Sequence, residues 1–192
     1  VEIRTLDIIR TRLRDPSCDG PTEVYAIMMD VGKKRDLAAL ERRMLLFGVV
    51  TYARGRLGNE PVRSQGHIHK VSAHCGWSTP EVYEIWSGNA VIYMQETAGD
   101  DPGRCFAVYA GPGDIVVVPP YWVHATISAD PARPLTFGAW CDRDYGFDYD
   151  DVRTHGGIAW FPLLRENGTL HWEANPRYRL SPLTTKAPEH YA

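Results

Sequence analysis

The sequence lacks both an excess of basic residues and a long hydrophobic run. Its 192 residues include 21 Lys or Arg against 24 Asp or Glu, so the formal net charge is −3. Nucleic-acid-binding domains usually carry a basic patch, so we predict no nucleic-acid partner. Apolar stretches such as Met44 to Val50 are far shorter than the roughly 20 residues that a membrane-spanning helix needs. We therefore predict no membrane partner.

Cysteine is also scarce. The four cysteines are scattered and form no C-x-x-C pair: Cys18, Cys75, Cys105 and Cys141. This spacing argues against a structural zinc site or a redox-active dithiol. Free thiols are typical of a reducing compartment, and the sequence begins without a recognisable secretory pattern. We therefore predict a cytoplasmic location.

The sequence does contain many short runs of β-branched and aromatic residues, separated by glycine, proline, asparagine and aspartate. The predicted strands are Val24–Val31, Leu45–Tyr52, Glu81–Ser87, Asn89–Gln95, Cys105–Tyr109, Ile115–Val118, His124–Ser128 and Leu135–Cys141. Short strands joined by such turns indicate an antiparallel sandwich or barrel. Apolar residues at helical spacing predict two short helices, at Thr5–Leu13 and Asp36–Arg43. The predicted fold is all-β with short flanking helices.

The densest chemical signal is the segment Gly66-His67-Ile68-His69. Residues two apart on a strand face the same side, so both imidazoles would point the same way while Ile68 points the other way. Two histidines on one face of a strand can bind one metal ion. The pair alone also fits two histidines that are hydrogen-bonded in the core or exposed to solvent.

The spacing around these histidines resembles the two motifs of the cupin superfamily, approximately G-x5-H-x-H-x3,4-E-x6-G and G-x5-P-x-G-x2-H-x3-N. Both histidines are present, Glu81 precedes Gly88 by seven positions, and Gly113 leads through Pro119 to His124. The resemblance implies a cupin β-barrel, that is, a double-stranded β-helix or jelly roll. The expected single domain spans residues 1–192, with an N-terminal extension over about 1–43, a barrel core over 44–142 and a C-terminal extension over 143–192.

The sequence departs from these motifs in three places. Twelve positions separate His69 from Glu81, which is far more than the motif allows, Tyr121 takes the place of the second-motif glycine, and Ser128 takes the place of its asparagine.

The long interval leaves Glu84, His74 and Cys75 as alternatives to Glu81 for the carboxylate position. Glu81 and Glu84 lie on opposite faces of the predicted strand, and only Glu81 has the motif's spacing to Gly88. We therefore prefer Glu81. His74 and Cys75 fall in the segment 70–80, which we interpret as a loop.

A more specific resemblance is to the cupin-type glucose-6-phosphate isomerases. It rests on the G-H-I-H segment, on P-E-V-Y-E at 80–84, on V-P-P-Y-W-V-H at 118–124 and on D-R-D-Y-G-F-D-Y at 142–149. The resemblance extends from about Thr5 to Leu164 and leaves Arg165–Ala192 unassigned.

This resemblance implies one divalent metal ion per subunit, whether iron, manganese, nickel or zinc. Its implied ligands are His67, His69, Glu81 and His124. Glu81 and Tyr83 would be catalytic, and the implied substrate contacts are Ser64, Gly66 and Tyr149. The sequence departs from the family at Phe147, where the family has histidine.

The implied reaction is the interconversion of glucose 6-phosphate and fructose 6-phosphate, through an enediolate or a direct hydride shift. Three histidines and one carboxylate leave a metal ion with open coordination positions, so that it can act as a Lewis acid. The same ligands also suit a cupin iron dioxygenase, and a non-catalytic sugar-binding cupin is a third possibility. By analogy with cupins, which often pair through sheet edges, we predict a homodimer.

Phosphate binding has no glycine-rich loop to support it. Four basic residues surround the first motif and either bind the phosphate or are solvated surface charges: Arg54, Arg56, Arg63 and Lys70.

Overall fold

Strands make up most of the regular structure in the computed structural model, which describes residues 1–189. In chain order they are β1 (Glu2–Thr5), β2 (Glu23–Met28), β3 (Leu45–Tyr52), β4 (Arg56–Leu57), β5 (Glu60–Pro61), β6 (Ile68–His69), β7 (Val71–Ser72), β8 (Trp77–Ser78), β9 (Glu81–Ser87), β10 (Ala90–Gln95), β11 (Cys105–Ala110), β12 (Ile115–Val118), β13 (Val123–Ser128), β14 (Leu135–Asp142), β15 (Phe147–Asp148), β16 (Trp160–Leu164), β17 (Leu170–Ala174) and β18 (Leu183–Lys186). The helices are α1 (Leu6–Ile9), α2 (Lys34–Arg42) and α3 (Asp150–Thr154), with a 3-10 turn at Arg10–Arg12.

Two sheets form the barrel. One has the order β1-β2-β3-β14-β9-β12 and the other β13-β10-β11-β18. Neighbouring strands run antiparallel, except that β18 runs parallel to β11. Side chains from both sheets form one buried cluster, including Tyr52 and Phe137 from the first sheet and Ile92 and Val108 from the second. This arrangement confirms the prediction of an all-β cupin barrel with short helices.

The two predicted helices are present with different bounds: the first is shorter than its pattern, and the second begins two residues earlier and ends one residue earlier than predicted. Leu6, Ile9 and Leu13 are buried as the spacing predicted, although the α-helix ends at Ile9 and continues as a 3-10 turn. The second helix spans Lys34–Arg42 and has no fully buried residue.

The N-terminal extension joins the barrel sheet. Strand β1 pairs with β2, so that Arg4 lies opposite Tyr25, and β2 pairs with β3. The predicted strand Val24–Val31 is displaced at both ends, because β2 begins at Glu23 and ends at Met28, before Asp30 adopts a left-handed backbone at φ 58°.

The C-terminal extension contains strands that the sequence patterns did not predict. Strands β16 and β17 form an antiparallel hairpin, and β18 adds to the edge of the four-stranded sheet. Tyr178 and Ile158 belong to a second buried cluster, together with residues of β10 and β13 such as Val91 and Ala125. Part of the unassigned tail is therefore structural. The last three residues of the predicted extension, 190–192, lie outside the described residues.

The described helices are four to nine residues long, and none of those in residues 1–189 has the length and hydropathy needed to cross a bilayer.

Candidate metal centre

Four side chains converge inside the barrel. The nearest ligand atoms of His67, His69, Glu81 and His124 all lie within 4.8 Å of one another. His67 and His124 are direct cross-strand partners, because each backbone N–H donates to the other's carbonyl, at 3.2 and 3.0 Å. Partners paired in this way present their side chains on the same face, so the backbone ladder itself brings two imidazoles together.

Strand β9 contributes the carboxylate. Its alternate residues Glu81, Tyr83 and Ile85 are buried and face the barrel interior, while Glu84 is half-exposed. The structure therefore brings Glu81 to the three histidines and places Glu84 on the opposite face. His74 and Cys75, which also competed for the carboxylate position, are exposed in the turn between β7 and β8.

Backbone carbonyls orient two of the imidazoles. His69 Nδ1 lies 3.1 Å from the carbonyl oxygen of Thr79, and His124 Nδ1 lies 3.0 Å from that of Trp122. A carbonyl can only accept a hydrogen bond, so Nδ1 is the protonated nitrogen and the lone pair of each neutral ring lies on Nε2. Such an outer hydrogen bond is the usual way in which a protein fixes a metal-binding histidine.

Both lone pairs are directed at the Glu81 carboxylate. His124 Nε2 lies 3.0 Å from Glu81 Oε2, and His69 Nε2 lies 3.3 Å from the same oxygen. Burial lowers the pKa of His69, but its contact with Glu81 outweighs burial and raises it. If both rings are neutral, their electron pairs face a negative oxygen, and a cation bound by these atoms would relieve that repulsion. His67 Nε2 is buried and has no hydrogen-bond partner among the described residues.

The protonation states suit this interpretation. Burial, reinforced by the nearby His124 and His69, lowers the pKa of His67 well below its usual value, so this ring is neutral at pH 7. Burial raises the pKa of Glu81, but the contacts with His124 and His69 outweigh it and hold the pKa well below its usual value. Neutral imidazoles and an ionised carboxylate are the forms that bind metal. The residues present therefore fit one divalent cation.

Tyr83 completes this end of the cavity. Its phenol donates a hydrogen bond to Glu81 Oε2 at 2.7 Å. Burial and the adjacent Glu81 raise the pKa of Tyr83 well above its usual value, so the phenol stays protonated at neutral pH and holds the carboxylate in place.

The three predicted substrate contacts lie beside the cluster. Ser64 and Tyr149 line the same cavity as His67 and Glu81. Gly66 has φ 88°, and a Cβ atom there would come within 2.6 Å of Ile158 Cγ2. This position therefore requires glycine to bring the backbone close to the site.

Phe147 covers one side of the cluster formed by the four candidate ligands. Strand β15 pairs with β6, so Phe147 lies opposite His69. Its ring packs edge-on against the His67 ring, with a centroid separation of 4.5 Å. The residue that replaces the family histidine therefore contributes an apolar wall to the cavity.

The basic residues considered for phosphate binding lie elsewhere. Arg63 is fully buried and pairs with Glu60, with Nε 2.5 Å from Oε2, while Arg54 and Lys70 are exposed. The interpretation of Arg63 as a phosphate ligand or a surface charge is therefore wrong. Among the residues within 1–189 that line the cavity, Arg4 is the only arginine or lysine.

Arg4 and Gln65 also line this cavity. Neither belongs to a sequence motif, so the sequence does not predict either residue as part of the site. The one available signal was the alternation of β1, which places Ile3 and Thr5 on one face and Arg4 on the other.

Several known proteins resemble this chain. Among solved structures, an oxalate oxidase aligns with 12% identity and a TM-score of 0.48, covering 64% of this chain and 53% of that one. A cupin superfamily protein of Desulfitobacterium hafniense aligns with 13% identity and a TM-score of 0.36, covering 62% and 76%.

Proteins related by sequence share a higher identity with this chain than these solved structures do. The chain is 30% identical over 158 residues to the glucose-6-phosphate isomerase of Thermococcus litoralis, covering 82% of this chain and 72% of that protein. It is 29% identical over 145 residues to a putative glucose-6-phosphate isomerase of Rhizobium meliloti, covering 74% and 62%. A model of the glucose-6-phosphate isomerase (GPI) family matches residues 17–180, and so extends beyond Leu164, where the resemblance seen in the sequence ends. Matched over most of its length by this model, the chain belongs to the glucose-6-phosphate isomerase family.

Proposed function

We propose that the protein interconverts glucose 6-phosphate and fructose 6-phosphate with the help of one divalent metal ion per subunit. The observation that carries this proposal is the convergence of three imidazoles and one carboxylate, with the Nε2 atoms of His69 and His124 at 3.3 and 3.0 Å from Glu81 Oε2. A protein of the isomerase family that builds such a donor set in the wall of a cavity has the chemical means for this reaction.

The proposed ligands of the metal are His67, His69, Glu81 and His124. A bound divalent ion supplies Lewis-acid stabilisation of the negative charge that develops on the sugar oxygens O1 and O2. Imidazole and carboxylate donors suit iron, manganese, nickel and zinc, and elemental analysis of the purified protein decides among them.

The chain's own residues would position the sugar and move the proton. We assign Glu81 as the base: in the direction from glucose 6-phosphate to fructose 6-phosphate it takes the C2 proton and returns it at C1, while the O2 hydroxyl proton passes to O1. The Tyr83 phenol holds the carboxylate in place through their 2.7 Å hydrogen bond. Phe147 and other apolar residues lining the cavity limit access of water to the reacting carbons. The proposed contacts to the sugar phosphate are Ser64, Gly66 and Tyr149.

An assay coupled to glucose-6-phosphate dehydrogenase tests the function. Fructose 6-phosphate should be converted by the purified protein, activity should be lost on chelation, and one of the four metals should restore it. A folded protein that shows no turnover with any of these metals contradicts the proposal. Metal-dependent oxygen uptake in place of isomerisation would favour the dioxygenase.

Isomerisation in D2O separates the two chemical routes. Proton transfer through Glu81 exposes the transferred hydrogen to solvent, so deuterium should appear in the product at the carbon that receives the proton. Complete retention of the substrate hydrogen would indicate a hydride shift and remove the proposed role of Glu81 as a base.

We also propose a homodimer that pairs through the β12 edge of the six-stranded sheet. Its edge strand β12 exposes Ile115 and Val117, each more than half accessible to solvent, beside the partly exposed Trp86. Exposed edge strands with apolar side chains tend to pair with other chains. Light scattering should give twice the mass of one chain, and the double variant Ile115→Lys, Val117→Lys should give a monomer.

Two further proposals concern the chain as a whole. Free thiols at all four cysteines support the predicted cytoplasmic location, because they are typical of a reducing compartment. Packing of both extensions against the barrel sheets supports a single domain over residues 1–192, with the described part ending at 189.

A further inference from the structure

The cavity wall also carries a group of polar side chains that are not among the proposed metal ligands, and we call this group the Arg4 end of the cavity. There the side chain of Arg4 lines the wall together with Tyr25, Gln65 and Tyr149. Only 23% of the Arg4 side chain is accessible to solvent, and its Nη2 lies 2.8 Å from Oε2 of Glu2, a residue about half exposed. Arg4 therefore extends from the surface into the cavity, and one of its guanidinium donors is held by a solvated carboxylate.

Tyr149 connects the two ends. Its ring lies 5.7 Å from the His67 ring, measured between centroids. Burial raises the pKa of its hydroxyl, and the charge of Arg4 and hydrogen bonding to Arg4 oppose that rise, so the guanidinium lies close to this hydroxyl. A ligand that reaches from the metal cluster along Tyr149 would therefore arrive at Arg4.

Gln65 shows that this end is suited to a polar ligand. The residue is 97% buried, since its relative exposure is 3%, and it lines the cavity. Its Oε1 atom is buried and has no hydrogen-bond partner among the described residues. Buried polar atoms are seldom left without a partner, so an unpaired acceptor in a cavity wall indicates a site for a hydroxyl or another donor.

We propose that Arg4 binds the phosphate group of the substrate and that Gln65 accepts a hydrogen bond from a sugar hydroxyl next to it. This assignment rests on the proposed function for the identity of the sugar phosphate. A guanidinium matches two oxygens of a phosphate, and Arg4 is the only basic side chain on the cavity wall in the described chain. A phosphate held there places the other end of the sugar towards the metal cluster.

Binding to the metal-free protein tests the assignment without turnover. The probes are glucitol 6-phosphate, glucitol and inorganic phosphate, measured by titration calorimetry. In the unmodified protein glucitol 6-phosphate should bind at least tenfold more tightly than glucitol. Arg4→Gln should reduce that ratio at least fivefold, Arg4→Lys should reduce it less, and inorganic phosphate should compete only where Arg4 is intact.

Two further variants sharpen the test. Glu2→Gln frees the guanidinium from its carboxylate partner, so it should tighten binding of glucitol 6-phosphate by about twofold or more. Arg54→Gln removes an equally charged but exposed residue outside the cavity wall and should leave the ratio unchanged. Circular dichroism and thermal unfolding confirm that each variant is folded.

A folded Arg4→Gln variant that keeps the full preference for glucitol 6-phosphate would overturn the proposal. The result does not depend on catalysis, because the probes cannot be isomerised. If the protein fails to convert fructose 6-phosphate but still prefers the phosphorylated probe through Arg4, the isomerase function is wrong and the phosphate site stands.

Discussion

The metal end of the cavity, which carries the proposed ligands, and its Arg4 end take their residues from different parts of the chain. At the metal end, backbone pairing joins His67 to His124, while β9 contributes Glu81 and β6 contributes His69. At the Arg4 end, the groups come from the N-terminal strand β1 and from Tyr149, next to α3. A metal ion binds only a few types of donor atom, at narrowly defined distances. The residues that bind it therefore recur at fixed spacing in the sequence. A phosphate can be bound by many arrangements of donors, and so leaves no comparable motif.

Replacement of a metal ligand should have the largest effect, and it should affect metal content in a way that replacement of Arg4 does not. Removal of a residue that merely orients a ligand costs about 10–100-fold in metal affinity or activity, so His67→Ala, which removes a ligand itself, should cost more than about 100-fold in metal affinity. Activity should fall with it. The metal content of His67→Ala, measured by elemental analysis, should drop, whereas Arg4→Gln should keep its metal.

His74→Ala is the matched control for this experiment, because His74 is exposed in the turn between β7 and β8. It should keep both metal and activity. Normal metal content in a folded His67→Ala protein would remove His67 from the ligand set.

Gly66 lies next to the metal ligands, and its replacement should affect stability. In Gly66→Ala the new Cβ would come within 2.6 Å of Ile158 Cγ2, and φ is 88°. Left-handed backbone costs about 1–2 kcal/mol for a residue with a side chain, and overpacking adds about 1–3 kcal/mol. We expect the free energy of unfolding to fall by about 2–5 kcal/mol, measured by urea denaturation.

Gly113→Ala separates these two contributions. Gly113 has φ 91°, but a Cβ atom at this position would meet nothing within 4 Å, so only the backbone cost applies. Its loss should be about 1 kcal/mol. If Gly66→Ala and Gly113→Ala lose the same free energy of unfolding, the contact of the new Cβ atom with Ile158 must be relieved by a local shift of the structure.

The phenol of Tyr83 should affect catalysis without affecting metal binding. Tyr83→Phe removes the hydrogen bond to Glu81 Oε2 and keeps the ring. A hydrogen bond to a charged group contributes about 1.5–3 kcal/mol, so kcat should fall about tenfold or more. Metal content and the KM for fructose 6-phosphate should change little. A fall in metal content of the same size would instead make Tyr83 a residue that supports the metal site.

The contrast between the two ends also explains what could be predicted from sequence. Strand alternation and motif spacing selected Glu81 over Glu84, because a strand places the two on opposite faces. The same reasoning placed the histidines together. Arg4 could not be assigned, because its position on the cavity wall depends on β1 pairing with β2, a long-range contact that local patterns do not record.

Other features were missed for related reasons. The hairpin of β16 and β17 contains Pro162 and lacks clear alternation, and β18 is fixed by parallel pairing with a distant strand. Arg63 looked like a surface charge or phosphate ligand because its burial depends on long-range contacts: its backbone pairs with Ile127, and its Nη2 donates to the carbonyl of Arg12. In each case tertiary packing decides the structure.

The smallest predicted effect concerns Tyr121, which replaces a motif glycine at the metal end. Its φ is 67°, so this position keeps the left-handed backbone that favours glycine, and its ring packs against Trp77 at 5.1 Å. Tyr121→Ala loses the ring and keeps the strain, whereas Tyr121→Gly loses both. The glycine variant should therefore be more stable than the alanine variant by about 1 kcal/mol, after allowance for the entropy of glycine in the unfolded chain.

Urea denaturation of both variants measures this difference, and metal content should be the same in each. That outcome would mean that the motif requires a backbone conformation at this position rather than a glycine as such. If the alanine variant were the more stable, the cost of the left-handed conformation would already be relieved locally, and the motif glycine would need another explanation, such as space beside the adjacent Trp122 and His124.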